Sequence, residues 1–230
     1  LAARNWRLGM TDGELSPVQT RNFLLLGDVP QGTLEEVAKI SEGVVTRVAD
    51  IFKVDQKTPL IKGRMTLFVF RKRYVYSEFG KMVEERQLPR SWRGHWKFNV
   101  VDAYGALVRP PSGDDQVALD VLIGQQVAGA FVASHGKVPR WFSEGTARFV
   151  AWRMGAKDER VLAWDRELIE PLNTMKQADD FLKGKLPAEL ADVASYSFVK
   201  FLMKDPRRYQ RMLTSVGDGI EFQKAFATVY

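Results

Sequence analysis

The sequence predicts an α+β fold: an N-terminal lobe built on a mixed sheet with helices, followed by an all-helical C-terminal lobe. Three observations carry this. Short apolar runs of strand length, "RNFLLLG" and "MTLFVF", alternate with segments of helical periodicity as far as Arg109. Beyond the turn-rich "RPPSGDD", Arg109 to Asp115, nearly every segment has helical spacing. Finally, 230 residues with 45% apolar and 27% charged side chains suit one domain with a sizeable core. The expected division is an arm over 1–18, a sheet lobe over 19–112 and a helical lobe over 113–230.

Residues 1–18 lack periodicity and contain Gly9, Gly13 and Pro17, so they read as an extended arm. Arg21 to Gly27 is an apolar run stopped by Gly27-Asp28, the mark of a buried strand. Thr33 with Glu36 three residues on has the spacing of a capping box. Leu34, Val37, Ala38, Val44, Val45, Val48 and Phe52 then recur at helical intervals. "MTLFVF", Met65 to Phe70, is a second strand, and a helix starting near Tyr74 is expected to carry Phe79 and Met82 inward. Trp96 to Arg109 alternates as one or two strands around Asp102 and Gly105. Helices follow at about 115–134, 140–155, 158–168, 188–204, 206–215 and 218–228.

Bulk properties exclude several function classes. No apolar run reaches the roughly 18 residues of a membrane span, and Val117 to Ser134 is broken by Asp120, Gln125 and Gln126. The absence of cysteine rules out disulfides and thiolate metal sites. A net charge of +6 and a pI near 9.5 imply mild attraction to acidic surfaces. The basic residues form short clusters, Arg71-Lys72-Arg73 and Arg207-Arg208, and no stripe of the kind nucleic-acid binding uses. No G-x-S-x-G elbow, Walker loop or G-x-G-x-x-G is present. The carboxylate pairs Glu84-Glu85, Asp114-Asp115 and Asp179-Asp180 read as solvated surface.

The most informative stretch is "VLIGQQVAGAFVASHGKVPRWFSEGTARFV", Val121 to Val150. Within it Pro139, Trp141, Glu144, Gly145 and Ala147 fall as in the W-x-x-E-G-x-A segment that carries the third zinc ligand of gluzincin peptidases. The chain resembles that group, in particular the peptidase-like domains of secreted bacterial proteins. The likeness is weaker over the rest, from the strand at Arg21 to Tyr230, and takes in the "SYSFVKFL" helix from Ser195. The resemblance implies a zincin-like fold and a periplasmic or extracellular setting. It puts the first histidine of the H-E-x-x-H pair at Gln125, the catalytic glutamate at Gln126 and the second histidine at Gly129. Sliding the helix by one residue, to Gly124, Gln125 and Ala128, recovers no ligand either.

The chemistry of those side chains is decisive. Zinc takes imidazole, thiolate or carboxylate ligands, and a glutamine amide is a poor substitute. Gln126 has no group that can take a proton from water. Only the vestigial third-ligand position, Glu144, survives, so no metal or other cofactor is expected. Two readings of Glu144 stand open: an exposed ion pair with Arg148, or an acceptor for the amide of Gln125 or Gln126 that joins the two helices. Gly129 and Gly145 suggest close backbone approach between facing helices. Trp141, Gly145 and Tyr196 are candidates for a cleft, although core packing explains the aromatic ones as simply. The expected function is that of a pseudoenzyme, a protein-binding or structural subunit. The alternatives are a hydrolase rearranged around Glu144 and His135, or a basic adaptor for an acidic partner.

Overall fold

The computed structural model describes residues 1–9, 16–100, 102–111, 117–155 and 157–230, apart from the side chains of Ala178 and Asp179. Gly13, Asp114-Asp115 and the Asp179 carboxylate therefore lie outside the described residues. The fold is α+β and mostly helical, with one five-stranded mixed sheet in the order β1-β2-β3-β5-β4. The strands are β1 (Val18–Gln19), β2 (Phe23–Gly27), β3 (Met65–Phe70), β4 (Gly94–Phe98) and β5 (Ala103–Val108). β2, β3 and β5 run parallel, while β1 and β4 are antiparallel edges.

The apolar runs explain the layering. All six residues of β3 are buried because helices cover both faces of the parallel centre. Met65, Leu67 and Val69 face one side with Phe23, Leu25 and Leu107; Phe68 and Phe70 face the other with Tyr104 and Val108. On the first side lie α2 (Gln31–Phe52) and α4 (Leu119–Ala133). On the second lie α1 (Ala2–Gly9) and α3 (Arg73–Glu84). Val121 to Val132 of α4 are all buried, as an apolar helix without a polar face requires. α5 (Arg140–Met154) packs on α4 and on α9 (Ala188–Leu202). α6 (Glu159–Glu167), α7 (Ile169–Thr174), α8 (Ala178–Leu182), α10 (Pro206–Gly217) and α11 (Phe222–Val229) complete the helical part. No helix of the described residues is long and apolar enough to cross a membrane.

Three expectations are corrected. The arm is not extended over 2–9: α1 forms there because Trp6, its one buried side chain, stacks on Phe68 and Phe70 at 6.4 and 6.3 Å. No capping box forms at Thr33, since α2 already starts after Pro30 and Thr33 sits inside its first turn. Glu36 instead pairs with Arg109 at 3.2 Å. Phe79 is buried but Met82 is 56% exposed, because the inward stripe of α3 runs Tyr76, Phe79, Gly80 and Val83. The short α7 and α8 have too few turns to reveal a periodicity.

A buried polar cluster ties α3 to the sheet. Glu84, read from the sequence as solvated surface, instead has a wholly buried side chain at the end of α3. There it accepts from Tyr104 at 2.5 Å and meets His95 Nε2 at 2.6 Å, while His95 Nδ1 meets Tyr76 at 2.7 Å. Burial pushes the Glu84 carboxyl up, but the His95 contact, the Tyr104 hydroxyl and Arg86 outweigh it and bring it down to about 2. A depressed carboxyl stabilises the fold above its ordinary value, 4.5, and that contribution fades as pH falls toward about 2. The shift corresponds to about 3 kcal/mol as an order of magnitude. Urea titrations are expected to show that loss across the window, and Glu84→Gln is expected to be weaker at neutral pH with a flatter acid limb.

Candidate functional site

Between the edge strand β4 and the helices lies a cavity of about 510 Å³. β4 forms one wall, α4 supplies Gln125 and Gln126 as the floor, and α5, α6 and α9 close the far side through Glu144, Arg160 and Leu190. The open side of β4 is fixed by its hairpin with β5. Asn99 and Asp102 exchange backbone hydrogen bonds of 2.8 and 3.2 Å, and Val108 N donates to Arg93 O at 2.8 Å. With the alternation of an antiparallel ladder, His95 and Lys97 bond to β5, so the backbone groups of Gly94, Trp96 and Phe98 point outward.

The positions singled out in the sequence come together only in part. Gln125, Gln126 and Glu144 line the cavity. Gln125 Oε1 accepts from Arg160 Nη1 at 2.9 Å. Gln126 is wholly buried between α4 and the sheet, against Gly94 and Gly105, and neither of its side-chain polar atoms has a partner among the described residues. Glu144 is not exposed, as the ion-pair reading required, nor does it accept from a glutamine. Its side chain is 12% accessible; Oε1 takes Arg148 Nε at 3.3 Å and Oε2 takes Trp96 Nε1 at 3.1 Å.

Trp96 is the residue the sequence reading missed. A Cβ added at Gly129 would fall 2.2 Å from its indole nitrogen, so the ring lies directly over that glycine. Gly129 therefore makes room for a side chain from the sheet and not for α5. Gly145 does admit a close backbone, but that of α9: a Cβ there would sit 2.4 Å from Ser195 O. Trp141 lies in a different cluster, with Phe142, Phe181, Phe198, Phe222 and Phe226. Tyr196 is buried against Trp164 at 5.5 Å, its hydroxyl taking Lys200 Nζ at 2.9 Å. Neither these two nor Gly145 lines the cavity. His135 is also remote, its Nδ1 2.9 Å from Phe131 O and its ring against Phe131 and Gly217.

A charged network surrounds Glu144. Arg140 forks onto Asp192 through both terminal nitrogens, Nη2 to Oδ2 at 3.0 Å, and Arg148 Nη2 reaches the same carboxylate at 3.5 Å. Arg148 and Arg160 both cover the ring of Trp164, at 4.8 and 5.6 Å. Asp158 caps α6 through Val161 N and ties it to Ala118 N at the entry to α4. Burial, followed by the charge of Glu144, pushes Asp192 up to about 6, with Arg140 and Arg148 holding it back. The sequence signal for part of this was visible: Arg140, Glu144 and Arg148 repeat at four-residue intervals, which places them on one helix face.

Zinc does not suit these residues. Trp96 covers Gly129, the Glu144 carboxylate is committed to an indole and a guanidinium, and no three carboxylate or imidazole groups converge among the described residues. Zinc binding can be tested by placing the H-E-x-x-H ligands on α4. Gln125→His, Gln126→Glu and Gly129→His together bind no zinc, because the new imidazole at 129 collides with Trp96. Adding Trp96→Gly clears that volume, and about one equivalent of zinc per chain is then expected by metal titration. A folded quadruple variant with no gain in zinc affinity would place this register in error. No protein-family model matches the chain and no curated protein matches it either, so the reading of the cavity rests on its own side chains.

Proposed function

We propose that the chain is a catalytically inactive, gluzincin-like domain of zincin-like fold that binds an extended segment of a partner protein along β4. The observation that carries this reading is the position of β4: its backbone edge, unpaired among the described residues, forms a wall of the cavity. Adding a strand to such an edge supplies a ladder of main-chain hydrogen bonds and needs neither a metal nor a proton acceptor. The inactive half of the reading is supported by Gln125, Gln126 and Gly129, which offer no general base and no imidazole. A periplasmic or extracellular setting and a place as a subunit of a larger assembly belong to the same proposal.

Free edges are ordinarily blunted by charge or cover. β4 carries one exposed residue, Lys97, and all five of its residues line the cavity. A partner strand laid there would have alternate side chains directed toward the basic and acidic groups of α5, α6 and α9.

Panning random displayed peptides of about 10 residues against the whole chain tests this. Enriched peptides are expected to bind and to be recovered uncleaved. N-methylation at every second residue of such a peptide should cost about tenfold in affinity, and methylation at the intervening residues should cost little. Hydrolysis of the peptides, or methylation effects with no alternation, overturns the proposal.

A further inference from the structure

Two side chains in the cavity wall carry polar atoms without hydrogen-bond partners among the described residues. Gln126 is 0% exposed with both Nε2 and Oε1 unpartnered among the described residues. Arg160 gives Nη1 to Gln125, but Nη2 has no acceptor and Nε meets Asp158 only at 3.6 Å. For folding alone, leucine or methionine would fill the volume of Gln126 with no polar atom to satisfy. A buried amide without partners among the described residues calls for an explanation, and a ligand supplies one.

The unsatisfied set has a definite chemistry. Donors stand at Gln126 Nε2 and Arg160 Nη2, and one acceptor stands at Gln126 Oε1. Arg140 and Arg148 are already committed to Asp192 and Glu144, so Arg160 has the weakest counter-ion of the three. Burial, the largest influence on it, and the neighbouring Arg148 bring the Arg160 guanidinium below its usual range despite Asp158. An anion would relieve that. The same wall also presents Glu144, Glu167, Glu170 and Glu189, which oppose a dianion such as phosphate. A singly charged, planar group matches a guanidinium fork best.

We propose that this cavity is a carboxylate-binding site, in which Arg160 and the Gln126 amide hold the carboxylate and Gln126 Oε1 accepts from an N–H or O–H next to it. A peptide C-terminus has this pattern, and so does a small N-acyl amino acid or hydroxy acid. In the first form the inference rests on the edge-strand reading, and in the second it is independent of it.

The test uses the whole chain and follows tryptophan fluorescence, since Trp96 and Trp164 line the cavity. The probes are N-acetylglycine, its amide, acetate and inorganic phosphate. N-acetylglycine is expected to saturate the signal and to bind at least about tenfold tighter than the other three. Gln126→Leu is expected to lose that binding while raising Tm, because it removes the orphaned amide. Arg160→Lys keeps the charge, loses the fork and is expected to weaken binding about tenfold. Equal binding of acid and amide, tighter phosphate binding, or undiminished binding by Gln126→Leu overturns the site.

The displayed peptides separate the two sources. A free-acid peptide bound at least about tenfold tighter than its C-terminal amide assigns the carboxylate to a chain end. N-acetylglycine binding without that difference assigns it to a small molecule. Peptides bound with no end preference, together with no N-acetylglycine binding, overturn the carboxylate site and leave the edge-strand reading standing. Binding of N-acetylglycine with no peptide binding does the reverse.

Discussion

The clasp between Trp96, Gly129 and Glu144 is the constraint around which this molecule is arranged. One indole ring, carried by the edge strand, covers a glycine of α4 and donates to a carboxylate of α5. Three separate elements, β4, α4 and α5, are thereby joined at one point. A hydrogen bond to a charged acceptor in a poorly hydrated site contributes about 1.5–3 kcal/mol, and the ring adds apolar contact with the main core. The geometry explains the glycine. Any side chain at 129 would evict the indole and leave Glu144 with Arg148 alone.

The clasp also explains why so many charges tolerate partial burial beside it. Asp192 has no exposed surface, yet three guanidinium nitrogens approach it, two from Arg140 and one from Arg148. Desolvating an ion costs several kcal/mol unless partners of opposite charge surround it, and here Arg148 serves Glu144 and Asp192 at once. The arrangement does not reach full compensation. A carboxyl held near 6 means that the folded chain takes up this proton more readily than the unfolded one. Asp192 therefore adds stability as pH falls from about 6 toward its ordinary value of 3.8. Glu84, on the other side of the sheet, acts in the opposite sense at lower pH. The Glu84 cluster and the Asp192 network thus respond to acid with opposite signs.

How much of this was legible in the sequence depended on whether the signal was local. The strands β2 and β3 and the helices α2, α4, α5 and α9 follow from runs and periodicities contained within each segment. α1 was not legible, because a single tryptophan among charged and small residues gives no period; its order comes from Phe68 and Phe70, some 60 residues away. Glu144 was found from its surroundings in "RWFSEG", but its partner was not. Trp96 belongs to a strand read only as alternating, and nothing local says that its ring crosses to a glycine 33 positions later. Arg140, Glu144 and Arg148 were readable as one helix face, whereas Asp192 and Arg160 enter that face from other helices.

What separates a packed interior from a working pocket is the treatment of polar groups without a structural task. Gln125 has one, since its oxygen receives Arg160 and so links α4 to α6. Gln126, one residue further round the helix, has none among the described residues, although it is the more deeply buried of the two. Packing alone gives no reason to hold an amide at the less accessible position, where any apolar residue of similar volume is more stable. The glycines at 94 and 105 let the sheet come against Gln126 closely enough that a methyl group at either would press on it. The strand wall, the amide floor and the under-compensated guanidinium face one cavity, and folding by itself asks for none of the three to be left open.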